Sequence, residues 1–306
     1  MRALVPSRDE RVTVAEAEVS TVSPVAAELV IKVEAFSVNR GETFLLENPM
    51  QGWRPGKDVA GTVIRAASDG SGPSVGTRVV AHPPAAGWAQ EVAVHTSNVA
   101  VLPDSISEQT AAALPLAGLT ALRLLRTVGP LIGRRILITG ASGGVGHYVV
   151  ELAAAAGANI TAVSASPSRG ARLLELGAVK VVQEVTDTAG PFDVVLESVG
   201  GDSFPQAIER LAPDGLLVWF GQASRTSVTV SFFDLLARSP GARIQHFSYT
   251  RGELDHARDL ATLVDLVAGG RLHPEISSIR PWAETAAVIE ELRGRRIQGN
   301  AVLTVG

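Results

Sequence analysis

The 306-residue chain contains no cysteine. That absence excludes disulfides, thiolate nucleophiles and thiolate-bound metals. It also fits a reducing compartment, and a cytoplasmic location is expected. Lysine is scarce: Lys32, Lys57 and Lys180 are the only three, and arginine supplies most of the positive charge. The net charge is −4, so there is no basic field to attract nucleic acid or an anionic membrane. No apolar run free of charge reaches the roughly 18 residues that would suggest a membrane span. The opening stretch, MRALVPSRDE, meets charge too early for the apolar region of a signal peptide. The histidines (His82, His95, His147, His246, His256 and His273) are scattered without metal-ligand spacing. Internal repeats and low-complexity tracts are also missing.

Apolar residues make up 46% of the chain, enough for a sizeable core. At roughly 100–200 residues per domain, the length suggests two domains. Up to about Leu116 the runs are short and β-branched, as in ELVIKVEAFSV, GTVIRAA, GTRVVAH and EVAVHT. Gly, Pro, Asp and Ser divide them, which predicts an irregular antiparallel β domain. From Ala117 strand-like and helix-like runs alternate. RILIT precedes GHYVVELAAAAGA, NITAVSA precedes SRGARLLELGA, DVVLES precedes SFPQAIERLA, and GLLVWFG precedes SFFDLLARS. That rhythm predicts βαβ units and a parallel sheet. A further helix is expected over ELDHARDLATLVDLVAGG, followed by a strand–helix–strand tail that rejoins the first domain.

ITGASGGVGHYVV, residues 138–150, follows the first strand of the α/β half and opens its first helix. Glycines suit such a position. They allow a tight turn, backbone approach to a pyrophosphate, and close helix–strand packing, while the helix N-terminus offers N–H groups to phosphate. The fingerprint here is Ala141-x-Gly143-x-x-Gly146, with alanine in place of the first glycine. Gly144 and Val145 complete the turn. Its context favours dinucleotide binding over a purely structural turn. An acid at the end of the second strand would select NAD. Here the strand ends AVSASPSR, so Ser164 and Ser166 offer hydroxyls and Arg169 offers a charged fork. This favours NADPH over NADH. The alternative is that Arg169 is a solvated residue in the first turn of a helix.

The chain also resembles a known family. FSVNRGE, PGKDVAGTV, VGTRVVA, GWAQEVAV, LPDSISEQTAAALPLAGLTALRLL, ILITGASGGVG, LLELGAVKVV, ESVGG, RLAPDGLLVWFG and RIQGNAVLTV occur in order along almost its whole length. They resemble the zinc-independent quinone oxidoreductase (zeta-crystallin-like) branch of the medium-chain dehydrogenase/reductase superfamily. The resemblance implies an α/β protein. A GroES-like β domain would be built from residues 1–116 and 276–306, and a Rossmann doubly wound parallel-sheet domain from 117–275, with the cofactor in the cleft between them. It implies hydride transfer from NADPH to a quinone or other activated enone. The alternatives are an enoyl or alkenal reductase of secondary metabolism and a non-catalytic NADPH-binding protein. A homodimer joined at Rossmann edge strands is also implied, with RIQHFS as the candidate edge.

Zinc-dependent relatives carry Cys, His and Cys where this chain has Asn39, Lys57 and the region of Ala117, and the loop between Val80 and Trp88 is too short for a structural zinc lobe. No metal is therefore expected. By resemblance, Asn39 lies beside the nicotinamide ribose and the substrate carbonyl, where its amide would donate a hydrogen bond. The alternative is an asparagine bonding its own turn. Thr120 either faces the nicotinamide or bonds backward within a helix. Phe220 and Gly221 line the nicotinamide side, with core packing the alternative for Phe220. Phe247 and Asn300 fall in further cleft segments. Phe44 stands where many relatives have tyrosine, which leaves no visible side-chain proton donor. Met50 and Trp53 either contact a planar apolar substrate or cover a surface loop. Glu184 falls near the expected 2′-phosphate and would repel it if turned inward. Glu42 replaces a family aspartate and is read as structural.

Overall fold

The β-branched runs of the first third become strands, and the residues that divide them become turns. The computed structural model describes residues 1–7, 13–250 and 255–306. β1 (Arg2–Ser7) and β2 (Thr13–Glu18) form an antiparallel ladder. β3 (Glu28–Ser37), β4 (Val59–Arg65), β5 (Arg78–Ala81), β6 (Glu91–His95) and β7 (Val99–Val101) follow. A short helix, α1 (Arg40–Leu45), sits between β3 and β4, and α2 (Glu108–Ala112) and α3 (Pro115–Val128) come after β7.

Beyond α3 each strand is followed by a helix. β8 (Arg135–Ile138) leads to α4 (Gly144–Ala155), β9 (Asn159–Val163) to α5 (Pro167–Glu175), and β10 (Lys180–Val182) to a 3-10 turn at Val185–Asp187. β11 (Phe192–Glu197) leads to α6 (Ser203–Ile208), β12 (Leu211–Trp219) to α7 (Phe232–Arg238), and β13 (Arg243–His246) closes the series. α8 (His256–Ala268), β14 (Ile276–Pro281), α9 (Thr285–Arg293) and β15 (Asn300–Thr304) complete the chain. The expected start of the α8 helix at Glu253 and Leu254 lies outside the described residues.

The chain divides into two compact units, Met1–Leu119 with Glu253–Gly306, and Thr120–Gly252. The first carries a seven-stranded sheet in the order β14-β15-β3-β4-β5-β7. The long β3 is shared along one side, where β6 pairs with Glu28–Lys32 and β15 with Ala35–Ser37. Its core includes Leu29, Ile31, Phe36 and Trp88, the last two stacked with centroids 5.5 Å apart. The tail does rejoin this sheet through β15, and α8 packs with the same unit on β5 and β7. The sequence grouped α8 with the Rossmann domain. Its apolar face, Leu260, Leu263 and Val264, does not by itself say which core receives it.

The second unit carries the predicted parallel sheet, in the order β10-β9-β8-β11-β12-β13. The direction of winding reverses between β8 and β11. In such sheets ligands bind outside the carboxyl ends of the strands at this switch point.

Candidate active site

In the second unit, β8 ends at Ile138 and the chain turns at once into α4. Gly140 takes φ +64°, a conformation that glycine adopts without a Cβ clash. It performs the turning that the fingerprint assigns to its first position, so Ala141 can be an ordinary buried alanine, with its N–H bonded to Val163 O at 3.1 Å. Gly146 does the close packing. A Cβ there would fall 2.6 Å from both the carbonyl carbon and the Cα of Ala141. Gly143 caps α4 without a side-chain bond, and a Cβ on it would meet only Gly140 O, at 3.3 Å. His147 N–H is the first to bond back, to Gly143 O at 3.3 Å. The N–H groups of Gly144, Val145 and Gly146 thus remain at the open end of the helix, as every α-helix start requires. The result is an anion-binding surface made of main chain.

Glu197, which no motif in the sequence singles out, organises the neighbouring strand ends. It is fully buried at the end of β11. Its carboxylate accepts from Val199 N (3.0 Å), Gly200 N (3.1 and 3.2 Å), Ser203 Oγ (3.1 Å) and Thr139 Oγ1 (3.1 Å). Burial raises its pKa and these bonds act in the opposite direction. Ser198 is thereby placed against β8, donating from Oγ to Thr139 O at 3.0 Å. Phe220, half-buried, follows β12 with its N–H on Glu197 O, and Gly221 packs against Ser198. Phe247 follows β13 with its N–H on Trp219 O and is also half-buried.

Ser164 is buried at the end of β9, with Ser164 Oγ 3.4 Å from Ser166 O. Ser166 caps α5, and its hydroxyl lies 2.7 Å from that of Ser168. Arg169 is half-buried in the first turn of α5. Glu184 is exposed and folds over its own 3-10 turn, accepting from Thr186 Oγ1 at 3.4 Å. Thr120 is buried in α3, and its Oγ1 has no hydrogen-bond partner among the described residues. The backward bond open to it from sequence is not made. Thr127 in the same helix does make one, to Arg123 O at 2.9 Å. A buried hydroxyl without a partner is uncommon, and a ligand group would satisfy it.

In the first unit, Asn39 is buried at the start of α1, where it forms a reciprocal capping box with Glu42. Its Nδ2 donates to Asp58 Oδ2 at 2.6 Å, with Glu42 Oε2 at 3.4 Å and Ser37 Oγ at 3.5 Å. The amide read from sequence as a donor to a substrate carbonyl is therefore already engaged within the protein. Asp58 also accepts from Ser37 Oγ (2.6 Å) and Leu116 N (2.8 Å) and lies 3.4 Å from His82 Nδ1. Glu42 Oε1 accepts from Gly56 N at 2.8 Å. Burial, then the neighbouring charge of Asp58, pushes Glu42 up to about 7. The asparagine-x-x-glutamate spacing was the available sequence signal for this box.

Asn300 is tethered, its Nδ2 donating to Glu275 O at 3.2 Å, so its side chain serves the entry into β15. Phe44 and Met50 are exposed, and Trp53 packs partly buried against the β-domain core. Trp53 thus does the covering work that sequence left open.

Residues 25–121 match the alcohol dehydrogenase GroES-like domain family, and residues 144–268 match the zinc-binding dehydrogenase family. The chain is 35% identical to a chloroplast envelope quinone oxidoreductase homolog of Arabidopsis thaliana, across 93% of this chain and 90% of that protein. It is 27% identical to a 2-haloacrylate reductase of a Burkholderia species, covering 94% and 93%. Its fold matches Escherichia coli quinone oxidoreductase, solved with NADPH, at a TM-score of 0.88 and 23% identity over 99% and 100% of the two chains. These matches define a dehydrogenase/reductase with a GroES-like and a Rossmann portion. The chain belongs to the quinone oxidoreductase branch of the medium-chain dehydrogenase/reductase superfamily.

Proposed function

We propose that this chain is an NADPH-dependent oxidoreductase that reduces quinones or other activated enones without a metal. The observation that carries the reading is the turn at residues 140–146, where three helix-start N–H groups and an open Gly143 face the switch point of a doubly wound sheet. The turn suits a dinucleotide pyrophosphate, and the unpartnered Thr120 hydroxyl suits a polar edge of the nicotinamide half. The relatives named for quinone and 2-haloacrylate reduction support the substrate class. The donor set does not fit zinc. Lys57 carries an ammonium, Ala117 has no donor atom, and the Asn39 amide is engaged by Asp58. Among the described residues no group of three or more His, Asp or Glu side chains is placed to hold a metal ion.

When bound, NADPH supplies the hydride. The protein binds and orients. Gly144, Val145 and Gly146 hold phosphate oxygens through their N–H groups. Thr120, Phe220, Gly221 and Phe247 flank the nicotinamide, and Asn39 orients the ribose or the acceptor carbonyl. Phe44 and Met50 offer an apolar surface to a planar acceptor. A panel of quinones and of short and long enones, followed by NADPH absorbance, tests the reading. Turnover of at least one class is expected. Tight NADPH binding with no oxidation by any acceptor would instead identify a binding protein.

Cofactor choice falls on Ser164, Ser166 and Arg169. Glu184 is exposed and folds over its own 3-10 turn, which supports a side chain turned away from a 2′-phosphate. A charge-assisted bond from Arg169 contributes about 1.5–3 kcal/mol, roughly ten- to a hundredfold in affinity. Arg169→Ala should weaken NADPH binding by that factor and leave NADH nearly unchanged, while Ser164→Asp should shift preference toward NADH. Equal dissociation constants for the two cofactors in the wild type would overturn the assignment.

The assembly is proposed to be a homodimer, with β13 pairing with its copy. Among the described residues β13 bonds only β12, and all four of its own residues are exposed, Ile244 among them. An apolar edge of this kind invites another strand. Light scattering should report a dimer at micromolar concentration, and a monomer there would count against the pairing.

A further inference from the structure

We propose that Glu42 and Asp58 form a buried carboxylate pair in which Glu42 keeps a proton, and that this proton decides whether the second hydrogen of the Asn39 amide is held inside the protein or left for a ligand. The inference rests on the role proposed above for Asn39. It makes Glu42 a positioning residue.

Both carboxylates are buried, with exposures of 1% and 0%. Both reach one amide nitrogen, Asn39 Nδ2, at 2.6 Å for Asp58 and 3.4 Å for Glu42. Two carboxylates sharing so small a site cannot easily be charged together, so one retains a proton. The bonding is unequal. Asp58 collects the Ser37 hydroxyl, the Asn39 amide and the Leu116 N–H, all within 2.8 Å, beside His82. Glu42 has one bond as short, from Gly56 N, and two longer ones, from Asn39 N at 3.2 Å and Asn39 Nδ2 at 3.4 Å. Glu42 is therefore the group that holds the proton, and its upward shift to about 7 agrees.

The charged group that acts on Glu42 is Asp58, with His82 3.4 Å beyond it, and Arg293 of α9 approaches the neighbouring Thr43. Arg293 Nη2 reaches Thr43 O at 3.4 Å. Among the described residues none of the basic groups forms an ion pair with Glu42, so none offsets its charge directly.

The consequence for Asn39 is geometric. Ionised Glu42 accepts from both the main-chain N–H and the amide of Asn39, while Asp58 holds the second amide hydrogen. With both amide hydrogens committed to anions, none is left for a carbonyl. Protonated Glu42 is a weaker acceptor and releases one. Asn39 then donates to the acceptor carbonyl without breaking its bond to Asp58.

The test combines spectroscopy, stability and kinetics on the intact protein. Infrared spectra of the wild type should show a protonated carboxylic acid C=O band at about pH 6 that is lost by about pH 8, and Glu42→Gln should lack it. An acid whose folded pKa is raised loses stability as pH climbs from its usual value to the raised one. The melting temperature of the wild type should therefore fall relative to Glu42→Gln between about pH 5 and about pH 7.5. For an accepted quinone or enone, kcat/KM should fall about tenfold from about pH 6 to about pH 8. That limb should be absent in Glu42→Gln and restored in Glu42→Asp. Absence at about pH 6 of a carboxylic acid band that Glu42→Gln removes overturns the pair. A band without the limb in kcat/KM overturns the positioning role. The infrared arm needs no turnover, and the Glu42→Gln comparison separates its band from one of buried Glu197. If no acceptor is reduced it still decides the pair, and only the reading as a reductase falls.

Discussion

Asn39→Ala is expected to lower kcat/KM by one to two powers of ten, about 1.4–2.7 kcal/mol of transition-state stabilisation. The structure adds a cost in stability. Asn39 Nδ2 is a 2.6 Å donor to buried Asp58. Deleting it leaves a buried carboxylate short of one partner, which costs about 1–3 kcal/mol. Both effects should appear together, kinetics measured with saturating NADPH and stability by denaturant midpoint. Asn39→Asp should be worse in stability, because it places a third carboxylate beside Glu42 and Asp58. Unchanged kinetics with a large stability loss would make Asn39 a purely structural cap.

The second large effect is expected at Gly146. A methyl group there would drive into the backbone of Ala141, in the turn between β8 and α4, where neither side can retreat. Ala141 N is bonded to Val163 O, and α4 is packed along its inner face by Tyr148, Val149 and Val150. Overpacking of this kind costs about 1–3 kcal/mol. The cost to the cofactor is larger, because the turn must open and the N–H groups of Gly144–Gly146 lose their common direction. Gly146→Ala should therefore weaken NADPH and NADH alike, by at least about tenfold for the loss of one charge-assisted bond. Isothermal titration with both cofactors checks this. Loss for NADPH alone would mean that the turn does not hold the shared pyrophosphate.

The βαβ rhythm was legible because alternation and glycine turns are local properties of the chain. The six-stranded parallel sheet follows that rhythm strand by strand. What was not legible depends on register. Asp58 lies 19 residues from Asn39. They meet because β3 and β4 pair antiparallel with Phe36 opposite Val59, which carries Ser37 and Asn39 up to Asp58. No spacing in the sequence announces that. Glu42 was visible as an acid three residues after a capping asparagine, but its burial against a second carboxylate was not. The placement of α8 failed for a similar reason, since an amphipathic face states that it will be buried and not where. Gly140 shows a subtler limit. The alanine at 141 departs from the fingerprint, while the turning glycine stands one residue earlier.

Glu197 has an implication for how such a site can change over generations. It holds the loop after β11 through the N–H groups of Val199 and Gly200 and through two hydroxyls. Those N–H groups belong to the backbone, so the side chain at 199 can be exchanged without disturbing the anchor. Tolerance and constraint are thereby separated along three adjacent residues. Position 197 is a point where one substitution dismantles the loop, and position 199 is one where variants can accumulate on an unmoved frame. Divergence toward a new ligand would leave its record at the second position and silence at the first.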